Sequence, residues 1–274
     1  MRKMYKIYEI DKTDEDYPQN LLKIKNPPQK LYIKGNKKIL NNLSVAMVGS
    51  RDSSSYGEYY AKKFANEISK IGITIISGLA IGIDTIAHEN SLNEKGKTIA
   101  VIGSGLNNIY PKENRELVQK IIKNGGAVIS EFEPNTRVDL SVFPKRNRII
   151  AGMANCTVVV EAKYRSGSSI TATYTFNQNK RVFCIPGRIG DKRGVGTNNL
   201  IKKGGILLTD VNQILELFGK QKNKKNEELN INDISRELNI NIAEINMKLT
   251  MMELEGLIEV TPGGIIKLKK YKKE

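Results

Sequence analysis

Ser44-Val-Ala-Met-Val48 and Ile73-Thr-Ile-Ile-Ser77 are short apolar runs that bracket a longer amphipathic one, Tyr56–Ile71. Within that middle stretch Tyr60, Phe64, Ile68 and Ile71 recur at spacings of three and four, one face of a helix, and Gly72 stops it before the second run. Strand, helix, strand at these lengths is a βαβ unit, which needs a parallel sheet.

The pattern repeats outward. Thr98–Gly103, Ala127–Ser130, Thr157–Glu161, Val182–Ile185 and Ile206–Leu208 read as further strands, and Gly82–Asn93, Lys112–Lys123, Arg146–Met153 and Ser168–Asn179 as the helices between them. Right-handed crossovers then put helices on both faces, so the fold class is α/β, a doubly wound and mainly parallel sheet.

This core is expected over residues 41–219, with residues 1–40 as an N-terminal extension packing on it. Residues 220–226, Lys-Gln-Lys-Asn-Lys-Lys-Asn, have no apolar side chain and read as an exposed linker. In 227–274, helical patterns at Ile231–Leu238 and Ile242–Leu254 precede two short apolar runs, from Leu257 and from Ile265, around Pro262-Gly-Gly264. That is a small winged-helix pattern.

The 274 residues carry 44 Lys+Arg against 29 Asp+Glu, net +15, which favours a polyanionic partner. Residues 220–274 hold 11 Lys+Arg and 9 Asp+Glu, so the excess sits almost wholly on the α/β part. The winged helix, with Glu244, Glu253, Glu255 and Glu259, therefore reads as an interaction module rather than a duplex-DNA reader. No apolar run is long enough to span a bilayer and no signal peptide is apparent, so the chain reads as cytoplasmic with no membrane partner. Cys156 and Cys184 lie inside apolar runs as core residues, and one histidine, His88, makes no zinc set; no metal and no cofactor are expected.

In an open parallel sheet the ligand lies beyond the carboxyl ends of the strands. The loop there after the first strand, Val48-Gly-Ser-Arg51, offers Gly49 and Ser50 for close backbone approach of phosphate and Arg51 to grip it. Ser77–Asp84 and Gly103-Ser104-Gly105 through Tyr110-Pro111-Lys112 have the same Gly/Ser character. Phe143-Pro-Lys145-Arg146-Asn147-Arg148 sets three cations beside an aromatic, the combination that holds unpaired strands. Glu161-Ala-Lys163-Tyr-Arg165 leads into Ser166, Gly167 and Thr171 at a helix start, and the glycines at 187, 194 and 196 continue this phosphate-loop character in a supporting place, although turn chemistry alone explains them as well. Asp84 and His88, four apart, could share a helix face as an acid/base pair, although a helix cap and a packed histidine explain them as well.

Taken together these blocks resemble the DNA-processing protein A family (DprA, also called Smf) over roughly residues 17–210. The resemblance rests on Tyr17-Pro18, Pro27-Pro28, Leu31-Tyr-Ile-Lys-Gly35, Val48-Gly-Ser-Arg51, Ser77-Gly-Leu-Ala80, Gly82-Ile-Asp84 and Ala87-His88. It continues through Gly103-Ser-Gly105, Tyr110-Pro111, Phe143-Pro144, Arg146-Asn147-Arg148, Ser166-Gly167-Ser168, Ile170-Thr171-Ala172 and Pro186-Gly187. Ile81 departs from it, standing where many members have arginine. The family implies an extended Rossmann-like core that binds single-stranded DNA in natural transformation, protects it and helps load the RecA recombinase, without catalysis, as a homodimer. It would make Arg51 and Lys112 phosphate grips, Gly49, Ser50 and Ser104 backbone-side anion contacts, and Phe143, Arg146, Asn147 and Arg148 part of the strand path. The competing reading is a nucleotide-binding or nucleotide-hydrolysing enzyme of the same topology, with Glu161 or Asp84 as its acid. A third is a duplex-DNA regulator acting through the winged helix.

Overall fold

The computed structural model describes residues 5–219, 229–230, 241–256, 258–260 and 265–268. The linker expected at 220–226 and the helix expected at 231–238 lie outside the described residues. The chain divides into two compact units, residues 1–220 and 221–274.

In the larger unit, the parallel part of the sheet starts at β3 (Ser44–Val48) and the chain winds outward through β4 (Thr74–Ser77), β5 (Thr98–Ile102) and β6 (Ala127–Ser130). It then returns to the other side of β3 for β7 (Cys156–Val159), β8 (Val182–Cys184) and β9 (Ile206–Leu207). All these pairings are parallel, Val45 lying opposite Ile75 on one side and opposite Cys156 on the other. The winding reverses between β3 and β7, which makes that junction the switch point where such sheets bind ligands.

Two strands were not legible as strands in the sequence. β1 (Ile7–Asp11) and β2 (Lys30–Gly35), with the short helix α1 (Gln19–Leu22) between them, form an antiparallel pair added to β6, with Tyr32 opposite Ser130, so the N-terminal segment extends the sheet to nine strands. β1 alternates Ile, Tyr, Glu, Ile, Asp and lies at the sheet edge, where a short charged strand discourages further pairing.

The central strands are buried on both faces, the reason they read as continuous apolar runs. Val45 and Met47 pack with Phe64 and Ile68 of α2 (Ser55–Lys70), while Ala46 and Val48 pack with Ile149, Ile150 and Met153 of α5 (Phe143–Met153). A third cluster lies under α4 (Arg115–Lys123), whose Leu117, Val118, Ile121 and Ile122 meet Ala100 and Ile102. Ser54 caps α2 by accepting from the Gly57 N–H, and Gly72 leaves it at φ +87°, a conformation suited to glycine.

α3 (Ile83–Glu89) follows β4 and is shorter than its pattern, and Lys112–Asn114 is a 3₁₀ turn before α4 rather than its first turn. α6 (Gly167–Asn177) follows β7. Gly194 and Gly196 do not mark a turn alone: α7 (Val195–Lys202) starts there, with Gly196 needed because a Cβ would come 2.5 Å from the Ala162 carbonyl. In the smaller unit, helix Ile242–Leu254 is followed by strands Ile258–Val260 and Ile265–Leu268, paired antiparallel. Asn241 caps that helix through the Ala243 N–H. Among the described residues no helix is long and apolar enough to cross a membrane.

Candidate nucleic-acid interface

At the carboxyl edge of the sheet, over the switch point, lies an open cleft of about 480 Å³. Its walls come from the loops after β3, β4, β5 and β7 and from the start of α5. A smaller hollow of about 230 Å³ adjoins it, and both are lined by Arg51, Tyr110, Phe143 and Arg146.

Gly49, Ser50 and Arg51 line the cleft from the β3 loop. A Cβ at Gly49 would lie 2.6 Å from the Ile83 side chain, so only glycine lets the loop pass α3 this closely. The Ser50 hydroxyl donates to the Asp52 carbonyl at 2.8 Å and accepts from the Asp52 N–H at 3.1 Å, folding the loop. Arg51 is exposed, its guanidinium 5.9 Å from the centre of the Phe143 ring. Tyr110 stacks on Phe143 at 5.8 Å between centroids and 22° between planes, so two loops far apart in sequence make one aromatic platform.

Arg146 is not an exposed cation. It is 5% accessible and its guanidinium donates to the carbonyls of Gly78, at 2.7 Å, and Val101. Burial pushes its pKa down to about 10, against the pull of Asp84. Asn147, also buried, accepts from Arg146 Nε at 3.2 Å and donates to the Gly167 carbonyl at 3.1 Å, tying α5 to α6 at the cleft floor. Ser166 caps α6, and Gly167 and Thr171 complete that wall, the Thr171 hydroxyl lying 3.4 Å from the Gly167 carbonyl. The free amides of a helix start favour an anion here.

Four expected contacts lie outside this lining. Arg148, two positions beyond Arg146 on α5, is turned to another side and donates to Glu131 at 2.6 Å. Ser104 is 1% accessible and its hydroxyl donates to the Asn108 carbonyl. Lys145 is exposed outside both hollows, as is Lys112, although Pro111 and Glu113 on either side of it line the smaller one. Conversely, Asp52, Leu140 and Lys163 line the cleft; only the Lys163 cation in the loop after β7 hinted at this in the sequence.

The acid/base pairing of Asp84 with His88 does not form. Asp84 Oδ2 accepts from the N–H groups of Gly78 and Ala80, and burial raises its pKa. His88 Nδ1 instead meets the Thr98 hydroxyl at 2.7 Å. Glu161 is equally committed: its carboxylate accepts from the Ser54 N–H at 3.0 Å and the Ser54 hydroxyl, at the start of α2. A nucleotide phosphate binds at that helix start in Rossmann enzymes, and here the protein's own carboxylate fills it. Cys156 and Cys184 are buried, their thiols pushed up to about 12. Among the described residues no three His, Cys, Asp or Glu side chains are grouped to hold a metal ion.

Fold and site define a doubly wound α/β protein with a cationic, aromatic-backed cleft at its switch point, followed in the chain by a winged-helix module. The chain belongs to the DNA recombination-mediator protein A family, whose profile matches residues 9–219, and residues 226–264 match the DprA winged helix domain. It is 43% identical to the DNA processing protein DprA of Streptococcus pneumoniae, over 75% of this chain and 72% of that one. Protein Smf of Escherichia coli is 35% identical, over 95% and 77%. The X-ray structure of the S. pneumoniae protein superposes with a TM-score of 0.73 at 42% identity, covering 77% of this chain and 74% of that one. DNA processing protein A of Helicobacter pylori, whose structure gives insight into its single-stranded DNA binding mode, superposes at 0.70 with 30% identity, over 78% and 96%.

Proposed function

We propose that this protein binds single-stranded DNA along the carboxyl edge of its sheet and, as a homodimer, protects the strand and helps load RecA onto it during transformation. The observation that carries the reading is the pairing of Arg51 with the Phe143–Tyr110 platform at the mouth of the cleft: a cation for a phosphate beside a flat face for an unpaired base. The single-strand binding of the H. pylori relative supports it. Gly49 and Ser50 with Ser166, Gly167 and Thr171 supply backbone approach on either side, and Arg146 and Asn147 hold the floor. Lys112 and Lys145, exposed nearby, extend the cationic track, while Ser104 and Arg148 support the loops from within.

Binding of labelled single- and double-stranded oligonucleotides of equal length across a salt series tests this, with the DNA checked for cleavage. Tight, salt-sensitive, single-strand-preferring binding with intact DNA is expected. Equal affinity for duplex, or loss of the oligonucleotide, would sink it. The recombinase role is tested by whether the protein speeds RecA filament formation on strands precoated with a single-strand-binding protein, and the dimer by sedimentation.

A further inference from the structure

Asp52 is an acidic residue in a cleft otherwise suited to anions, and it has two cationic partners from two other loops. Its carboxylate accepts from Lys163 Nζ at 3.1 Å, from the loop after β7, and lies 3.4 Å from Arg193 Nη2, from the loop after β8. The loops that carry the two cations are joined to each other without it. The Ala162 N–H donates to the Arg193 carbonyl at 2.8 Å and the Gly196 N–H to the Ala162 carbonyl at 2.6 Å. Asp191 is the other acid at Arg193, 4.0 Å from Nη1. The Asp52 backbone is fixed by Ser50 and by Arg193 Nε, which donates to its carbonyl at 3.0 Å, but its side chain is 63% exposed.

We propose that Lys163 and Arg193 form a phosphate subsite for the single-stranded DNA backbone, and that Asp52 occupies it as an internal anion until a phosphodiester displaces it. The proposal rests on the single-strand reading above and adds two contacts and one competitor to it. Lys163 lines the cleft together with Ser166 and Gly167 at the start of α6, so a phosphate there would meet helix amides on its other side. Exposed ion pairs contribute little to stability, so the carboxylate is displaceable. Lys163 and Arg193 hold the Asp52 carboxyl below the usual carboxylate range, so the competing charge is present at neutral pH.

The test uses labelled oligothymidylate and the full chain as wild type, Asp52→Asn and Asp52→Ala, each also combined with Lys163→Ala and Arg193→Ala, over a salt series with melting temperatures alongside. Removing the charge should tighten binding about two- to fivefold at low salt, since no internal pair is broken. It should steepen the salt dependence by about one ion, because Asp52 no longer takes up a cation when the strand displaces it. The gain should vanish when both cations are replaced. If Asp52→Asn and Asp52→Ala bind no tighter than wild type, or if the gain survives without Lys163 and Arg193, the subsite is wrong while the single-strand reading stands. A wild type that binds no oligonucleotide overturns both.

Discussion

Arg146 and Asp84 grip the same residue by its two backbone polar groups: the guanidinium donates to the Gly78 carbonyl at 2.7 Å, and Asp84 Oδ2 accepts the Gly78 N–H at 3.1 Å. A Cβ on residue 78 would lie 2.7 Å from Arg146 Nη2 and 2.8 Å from Asp84 Oδ2, so glycine is required between them. Through Val101 the same guanidinium also reaches the end of β5. Two loop bases under the aromatic platform are thus held by one side chain from α5.

Arg146→Ala is therefore expected to act on the fold. It leaves the Gly78 and Val101 carbonyls without their donor and takes a positive charge from the surroundings of buried Asp84, a loss of about 2–5 kcal/mol. Urea denaturation should show a large fall in midpoint, and Arg146→Lys should recover little because one ammonium nitrogen cannot serve the Gly78 and Val101 carbonyls, as Nη1 does, and also Asn147, as Nε does. A variant that folds at wild-type stability would remove Arg146 from this role.

Arg51→Ala should do the reverse. Arg51 is exposed and leaves no buried group unpaired, so stability should stay within about 0.5 kcal/mol. Single-strand affinity should fall about tenfold at low salt, with the slope of log affinity on log salt shallower by about one. Oligonucleotide anisotropy and thermal melting of the same preparation separate the two effects.

Phe143→Leu keeps an apolar side chain at the head of α5 but removes the flat face shared with Tyr110. The loss expected is about 1–3 kcal/mol of strand binding, with the salt slope unchanged, since stacking releases no counterions. Tyr110→Leu should show a smaller loss of the same kind. A change in slope instead would mean that Phe143 acts by placing Arg51, 5.9 Å from its ring.

The parallel sheet was legible because strands buried on both faces must be continuous apolar runs, and Val45 to Val48 can hardly be anything else. β1 was not, because an edge strand mixing Glu9 and Asp11 with isoleucines carries no such signal, and its place beside β2 is a long-range fact. The loops that line the cleft were legible by composition, but composition does not say which way a side chain goes. Arg146 and Arg148 look alike in the sequence, yet a helix turns them to different partners, Gly78 and Glu131, and neither is the open cation that Arg51 is. The Asp52–Lys163–Arg193 meeting joins three loops, and no local pattern encodes it.

His88 gives the fold a specific acid sensitivity. The Thr98 hydroxyl donates its one proton to the Ile75 carbonyl at 2.8 Å, so at 2.7 Å it accepts from His88, which fixes the neutral ring with its proton on Nδ1. Nε2 is buried without a partner, and a proton there would place a charge in the core near Arg146. Burial first, then Arg146, push the folded pKa from 6.5 down to about 3. Above pH 6.5 the ring is neutral in both the folded and the unfolded chain, and the stability it contributes is fully present. As pH falls below 6.5 the unfolded chain takes up a proton that the folded one refuses, so stability declines steadily until about pH 3 and no further from this group. His88→Asn keeps an N–H toward Thr98 and cannot be protonated. Its urea midpoint should depend on pH less steeply than wild type between pH 6 and 4, by about one proton, whatever its stability at neutral pH. Equal slopes in the two proteins would show that His88 is not the group that refuses the proton.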